Sequence, residues 1–279
     1  MKILFRPIGG FCQRLRSLAS AALWAEDLHA SLEIFWPVEA GVLPSRIEHL
    51  IETDSIPCFT YSHIGYLSRA HHIFKMDDMI TVLEMWKDAD EIRIESSSEF
   101  HPDILGRTPR GMQMFRRIKI NSDIVADAIS AARRLGISSF EGEQWIGIHI
   151  RRGDHKKCID ESPVELFVER IDSYLRICPQ IRFFLATDDP VVKAYLERLY
   201  RNSLVVYDSQ LGRRNVDQMR DGVLEWLLLR RCSSIIASKG SAYSEIAAFS
   251  GGIQLEVLPG PKPWLLTQVI PAESVGVAV

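Results

Sequence analysis

Short apolar runs alternate along the chain with longer stretches in which apolar residues recur every three to four positions, the pattern of strands followed by amphipathic helices. Residues 2–5 form the first run; after Pro7, Gly9 and Gly10, the residues Leu15, Leu18, Ala22 and Ala25 recur at helical spacing. Small residues at 17 and 19–21 suit a helix lying close against a sheet, and 32–36 reads as the next strand. The opening is therefore a βαβ unit with a Gly-Gly turn at the carboxyl end of its first strand, where open α/β sheets place ligands. It lacks the third glycine of a dinucleotide fingerprint. Between 37 and 119 the periodicity weakens to predicted helices over 45–52 and 77–86 and a strand over 91–95. A helix over 123–135 follows, with Ser122 as its N-cap and Gly136 as its stop, and 136–144 reads as a linker.

From Trp145 the alternation becomes regular. The segment WIGIHIRRGDHKK, 145–157, begins as a buried strand and turns into charge at Arg151, as a strand does at the open end of a sheet. Helices are then predicted over 163–177 and 191–200, and strands over 181–186 and 204–207. A polar loop over 208–220 precedes the apolar helix GVLEWLLLRRC, a strand over 234–237, a helix from Tyr243 and a closing strand over 253–257, with a Pro-rich tail at 259–263. The alternation is that of a parallel α/β sheet.

With 279 residues, 47% hydrophobic and 25% charged, the chain is long enough for two domains, expected at 1–142 and 143–279. The net charge of -3 gives no basic surplus for nucleic acid or an anionic membrane. Five scattered cysteines, without close pairs, read as free thiols in a reducing compartment. No apolar run is long enough to span a bilayer or to act as a signal peptide, so a cytoplasmic location is expected. His71 and His72 lack a third ligand at metal spacing, and no metal or other cofactor is assigned. The stretch holding Arg107, Arg110, Arg116, Arg117 and Lys119 reads as a solvated face.

Candidate chemistry gathers at strand ends. Arg151 and Arg152 carry rigid forks suited to bidentate capture of phosphate. Strand alternation sends them to opposite faces, so one can meet a ligand while the other braces the loop against Asp154; His149 shares the face of Arg151. In Thr187-Asp188-Asp189-Pro190 the threonine or an aspartate caps the helix beginning at Pro190; capping explains one acid and not both, and the extra carboxylate suits a ribose or a guanine edge. Glu225 interrupts an apolar helix, so it either faces outward or needs a partner. Gly240, Ser241 and Ala242 open a helix, where they serve either as a plain cap or as a phosphate cradle. Gln13 and Arg14 stand in the first turn after Gly9 and Gly10, either solvent-exposed or against an anionic ligand.

Taken in order, GGFCQRLRSLASAALWAE, HIRRGD, ATDDP and VLEWLLLRRCSSIIASKGSAYSE resemble the fucosyltransferase superfamily containing the α-1,6, nodulation-factor and protein O-fucosyltransferases. The resemblance implies a GT-B fold: two facing Rossmann-like α/β domains, the second holding the donor and the first on the acceptor side. It implies that Arg151 meets the β-phosphate of a GDP-sugar, that His149, Asp188 and Asp189 serve the nucleotide, and that Ser241 touches the diphosphate. Glu225 falls where the family has an aspartate against the nucleoside, and Gln13 with Gly9 and Gly10 reaches towards the donor. His155 stands where the α-1,6 enzymes usually have lysine, and the acid proposed there as the base falls near Ile159, which leaves Asp160 and Glu161 beside Arg151 as catalytic candidates. The implied activity is inverting, metal-independent transfer of fucose from GDP-fucose to a hydroxyl of a glycan or polysaccharide precursor. Two alternatives stand beside it: transfer from another NDP-hexose, and a sugar-nucleotide-binding module without catalysis.

Overall fold

A computed structural model describes residues 1–55, 59–62, 67–137, 145–210 and 212–259. In the first half, the apolar run expected at 2–5 extends to β1 (Lys2–Pro7), followed by α1 (Phe11–Asp27) and β2 (Ser31–Phe35). Next come β3 (Phe59–Ser62), β4 (His71–His72), α2 (Met76–Met85), β5 (Glu91–Ser96), α3 (Pro102–Leu105), α4 (Pro109–Arg117) and α5 (Ser122–Leu135). The second half gives β6 (Trp145–Ile150), α6 (Lys156–Glu161), α7 (Val164–Ile177), β7 (Arg182–Thr187), α8 (Pro190–Leu199) and β8 (Leu204–Val206). It ends with α9 (Val216–Leu229), β9 (Ser234–Ser238), α10 (Ala242–Gly251) and β10 (Gln254–Leu258).

The strands form two all-parallel sheets in the orders β3-β2-β1-β5-β4 and β10-β9-β6-β7-β8. In each sheet the first strand is central and the chain reverses its direction of travel beside it, so β1/β5 and β6/β9 are topological switch points, where the strand ends open a crevice. The period-two alternation of β6 divides the second core. Ile146, Ile148 and Ile150 join Phe167, Ile171 and Leu196 from α7 and α8 on one face. Trp145 joins the other cluster, which runs without a break through α9, α10, α5 and α1 into the first sheet. α5 packs on α9 and α1 on α10, so one apolar cluster unites the two sheets.

Four local readings change. The helix expected over 45–52 shrinks to a single 3-10 turn, Ile47–His49, because the backbone that would continue it is used elsewhere. Glu52 N–H donates to Lys119 O at 2.9 Å, Asn121 N–H donates to Leu50 O at 3.0 Å, and Ile51 bridges Ile120. Asn121, rather than Ser122, caps α5, accepting from Asp123 N–H at 3.1 Å. α9 starts inside the expected loop, where Asn215 accepts from Gln218 N–H at 2.9 Å. The basic stretch contains α4, opened by Thr108 and Pro109, and Arg110 pairs with Asp27 at 2.6 Å and Asp103 at 3.1 Å. Gly136 ends α5 at φ 72°, as expected. His72 pairs with Glu95 at 3.0 Å, and no group among the described residues is arranged to hold a metal. Most of the linker, 138–144, and the tail from 260 lie outside the described residues, and among those described no helix is long and apolar enough to cross a membrane.

Gly147 lets α9 lie against β6, for a Cβ there would fall 2.8 Å from Leu229 Cδ2 and 3.3 Å from Ile235 Cγ1. Gly147→Ala should therefore cost about 1–3 kcal/mol of unfolding free energy through overpacking. Denaturant titration of the two proteins measures this directly.

Candidate active site

At the end of β6 the chain leaves the sheet as Arg151-Arg152-Gly153-Asp154. Arg151 N–H donates to Ser238 Oγ at 3.1 Å, which ties this end of β6 to the end of β9 across the switch point. The Arg151 guanidinium pairs with both Asp154 and Asp188. Burial lowers its pKa, the charge of Arg213 adds to the effect, and Asp154 opposes it. Gly153 has φ 45°, and a Cβ there would meet Asp188 Oδ2 at 2.8 Å and Arg151 Nη1 at 3.1 Å. Glycine is thus what lets the Arg151–Asp188 pair form beneath the turn. Arg152 turns the other way, as alternation requires. It braces the loop through carbonyls, donating to Ser162 O at 2.8 Å and Arg151 O at 3.0 Å, and not through Asp154.

The end of β9 leads through Gly240, at φ 77°, into α10, whose N-cap is Ser241. Ser241 is buried, yet its hydroxyl makes no capping hydrogen bond, so the plain-cap reading fails. Gly10 is the N-cap of α1, and its N–H donates to Gln13 Oε1 at 2.9 Å. The amino ends of α1 and α10 open into the same cleft, of about 430 Å³, together with Arg151, Asp154 and Asp188. Both helix dipoles present partial positive charge there.

Deeper in the cleft, Glu225 is 6% exposed and accepts a hydrogen bond from Ser209 Oγ at 3.0 Å, so the outward-facing reading of this residue fails as well. Burial raises its pKa to about 7, opposed by the charge of Lys193 and the Ser209 hydroxyl and reinforced by Asp221. His149, on the β6 face that also carries Arg151, stacks on Tyr243 at 4.7 Å, and burial pushes its pKa down to about 3. It is therefore a neutral imidazole. Ser244 Oγ donates to Ser241 O at 3.2 Å, so the 3.2 Å contact between that hydroxyl and His149 Nδ1 puts the ring proton on Nδ1 and leaves Nε2 as an acceptor.

Of the residues singled out from sequence, Gly10, Gln13, His149, Arg151, Asp154, Asp188, Glu225, Gly240, Ser241 and Ala242 line this one cleft. Gly9, Arg14, Arg152, Asp160, Glu161 and Asp189 do not. Arg14 is fully buried over the Trp36 ring, donating to Gly9 O at 2.7 Å and pairing with Glu39 at 2.8 Å. Asp189 is the helix cap, accepting from Val191 N–H at 2.8 Å, while Asp188 does not cap but pairs with Arg151 and accepts from Arg152 N–H at 2.7 Å. Asp160 is exposed, and Glu161 pairs with Lys239 at 3.3 Å. Sequence reasoning missed Arg16, His155, Arg213, Tyr243 and Glu245, which also line the cleft. Arg213 sits in what reads as an ordinary polar loop, and Tyr243 and Glu245 follow Ser241 by two and four residues, a helical spacing that flags Glu245 as sharing its face.

No protein-family model and no curated protein matches the chain. Solved structures do. The fucosyltransferase NodZ from Bradyrhizobium matches with a TM-score of 0.63 at 18% identity, over 88% of this chain and 90% of that one. POFUT1 in complex with GDP matches with 0.60 at 9% identity, over 92% and 98%. A variant of Arabidopsis thaliana FUT1 in complex with GDP matches with 0.62 at 12% identity, over 94% and 70%. The chain shares the GT-B fold of these fucosyltransferases.

The raised pKa of Glu225 has a sign that can be measured. Between its ordinary value of 4.5 and about 7 the folded protein holds a proton that the unfolded chain has lost, so this group's contribution to stability falls as pH rises through that window. Glu225→Gln removes the penalty, and the variant should gain stability over the parent at pH 8 relative to pH 5, by up to about 3 kcal/mol. Unfolding free energies at the two pH values test this.

Proposed function

We propose that the chain is an inverting, metal-independent glycosyltransferase that moves fucose from GDP-fucose to a hydroxyl of a glycan or polysaccharide precursor. The observation that carries this reading is that Arg151, from the end of β6, and the Gly240-Ser241-Ala242 turn, from the end of β9, line one cleft at a switch point. Its support outside the chain is that NodZ has been solved after soaking with GDP-fucose, and POFUT1 and FUT1 in complex with GDP.

The chemistry follows from the placement of charge. In this reading the diphosphate lies between the Arg151 fork and the amino end of α10, with the α1 end and Gln13 closing over it. As the glycosidic bond stretches, negative charge grows on the departing diphosphate, and donors already in place stabilise it more than they stabilise the bound substrate. Arg151, with Arg213 close by, supplies the positive charge that a cation would otherwise bring. Glu225, once ionised, accepts from the adjacent N–H groups of guanine, and His149 Nε2 accepts from a further donor of the nucleoside. Attack from the face of the sugar opposite the diphosphate inverts the anomeric carbon. Residues 143–279 then form the donor-binding unit and 1–142 the acceptor side. Buried free thiols at Cys12, Cys158 and Cys232 suit the reducing setting of the cytoplasm.

Calorimetric titration should show GDP binding in preference to UDP and dTDP, strengthening from pH 6 to pH 8 as Glu225 ionises; preferential UDP binding would favour another NDP-hexose. Arg151→Lys keeps the charge but loses the fork, so kcat should fall about 10²–10³-fold with the melting temperature unchanged. Transfer from GDP-fucose should survive excess chelator, and binding without any transfer or donor hydrolysis would leave only a sugar-nucleotide-binding module.

A further inference from the structure

An inverting transfer needs an acceptor for the hydroxyl proton, and the cleft offers four carboxylates. Asp154 and Asp188 are both engaged by Arg151, and Asp188 also takes the Arg152 N–H at 2.7 Å. Glu225 lies buried at the inner end of the cleft, engaged by Ser209 Oγ at 3.0 Å. Glu245 is different. It lines the cleft from the first turn of α10, is partly exposed, and its carboxylate has no hydrogen-bond or ion-pair partner among the described residues.

Its placement suits the reacting centre. The i, i+4 spacing puts Glu245 one turn along the same helix face as Ser241, past the diphosphate end of the site. Arg151, from the end of β6, and Glu245, from α10, line the same cleft. His155, just before α6, also lines the cleft, but its Nδ1 is engaged as the cap of α6, accepting from Cys158 N–H at 3.2 Å. Asp160 and Glu161, on α6 itself, do not line the cleft.

Resting on the donor reading above, we propose that Glu245 is the general base of the transfer. A lone pair of the acceptor oxygen attacks the anomeric carbon, the bond from that carbon to the diphosphate oxygen breaks with its electron pair leaving on the diphosphate, and the hydroxyl proton passes to Glu245. A free carboxylate is ready for that proton, whereas one engaged by a guanidinium is a poorer base.

The test uses the full chain, GDP-fucose and an acceptor on which the parent protein is active. Glu245→Gln should lower kcat about 10²–10³-fold and leave GDP affinity and the donor KM within about threefold. Added formate should restore part of the activity of Glu245→Ala, a rescue that a structural role for the side chain would not give. Turnover by Glu245→Gln within threefold of the parent overturns the proposal. So does a loss of GDP affinity equal to the loss of turnover, which would make Glu245 a donor-binding residue. Failure of the parent itself to bind GDP removes the donor reading instead, and this proposal with it.

Discussion

The cleft depends on the Arg151 guanidinium being held, partly desolvated, between two carboxylates at the point where the second sheet reverses direction. A cation taken from water is costly unless it is paired, and the pairing here also fixes its direction. Asp154 comes from its own loop, while Asp188 comes from the next strand and ties that loop down through the Arg152 N–H. Gly153 leaves space beneath the turn, and Arg152 anchors it from the opposite side through backbone carbonyls. A rigid positive group so placed needs little reorganisation when negative charge develops in front of it.

The rest of the fold brings other partial charges to the same place. Each sheet reverses beside its first strand, and each sends one helix amino end towards the crevice, α1 from the first sheet and α10 from the second. One continuous apolar cluster, including Trp226, Phe249 and Leu18, keeps these helices packed together. Phe11, in the first turn of α1, meets Trp226 of α9 edge-on at 5.8 Å, which carries the packing up to the edge of the cleft. α9 is apolar enough to be buried, and the one acid in its buried part faces the cleft with a raised pKa. The core thus positions the site and also sets its protonation.

The likeness to solved fucosyltransferases is one of architecture, at 9–18% identity. At such distance the sheets, their order and the crevice at the strand ends persist because few arrangements cover both faces of two parallel sheets. The residues lining the crevice have wider freedom. His155 and Glu245 are part of this chain's own lining, and Asp160 and Glu161 stand outside it.

Much was legible in the sequence because it depends on local periodicity. Alternation along β6 placed His149 and Arg151 together and sent Arg152 to the opposite side, and capping chemistry accounted for at most one of Asp188 and Asp189, whereas for Glu225 the sequence left the outward and the partnered readings open. Where tertiary contacts competed, local rules failed: 45–52 gave up a helix because 119–121 took its backbone groups, and the cap Asn215 lay hidden in a polar loop. No local pattern could show that Arg16 and Arg213 share a cleft with Arg151, because Arg16 comes from α1 and Arg213 from a loop far along the chain. The sequence by itself determined which strand ends carry chemistry, since side-chain direction follows from the backbone repeat. Only the tertiary structure decided which acids are engaged and which is free, because that depends on distances between segments far apart in the chain.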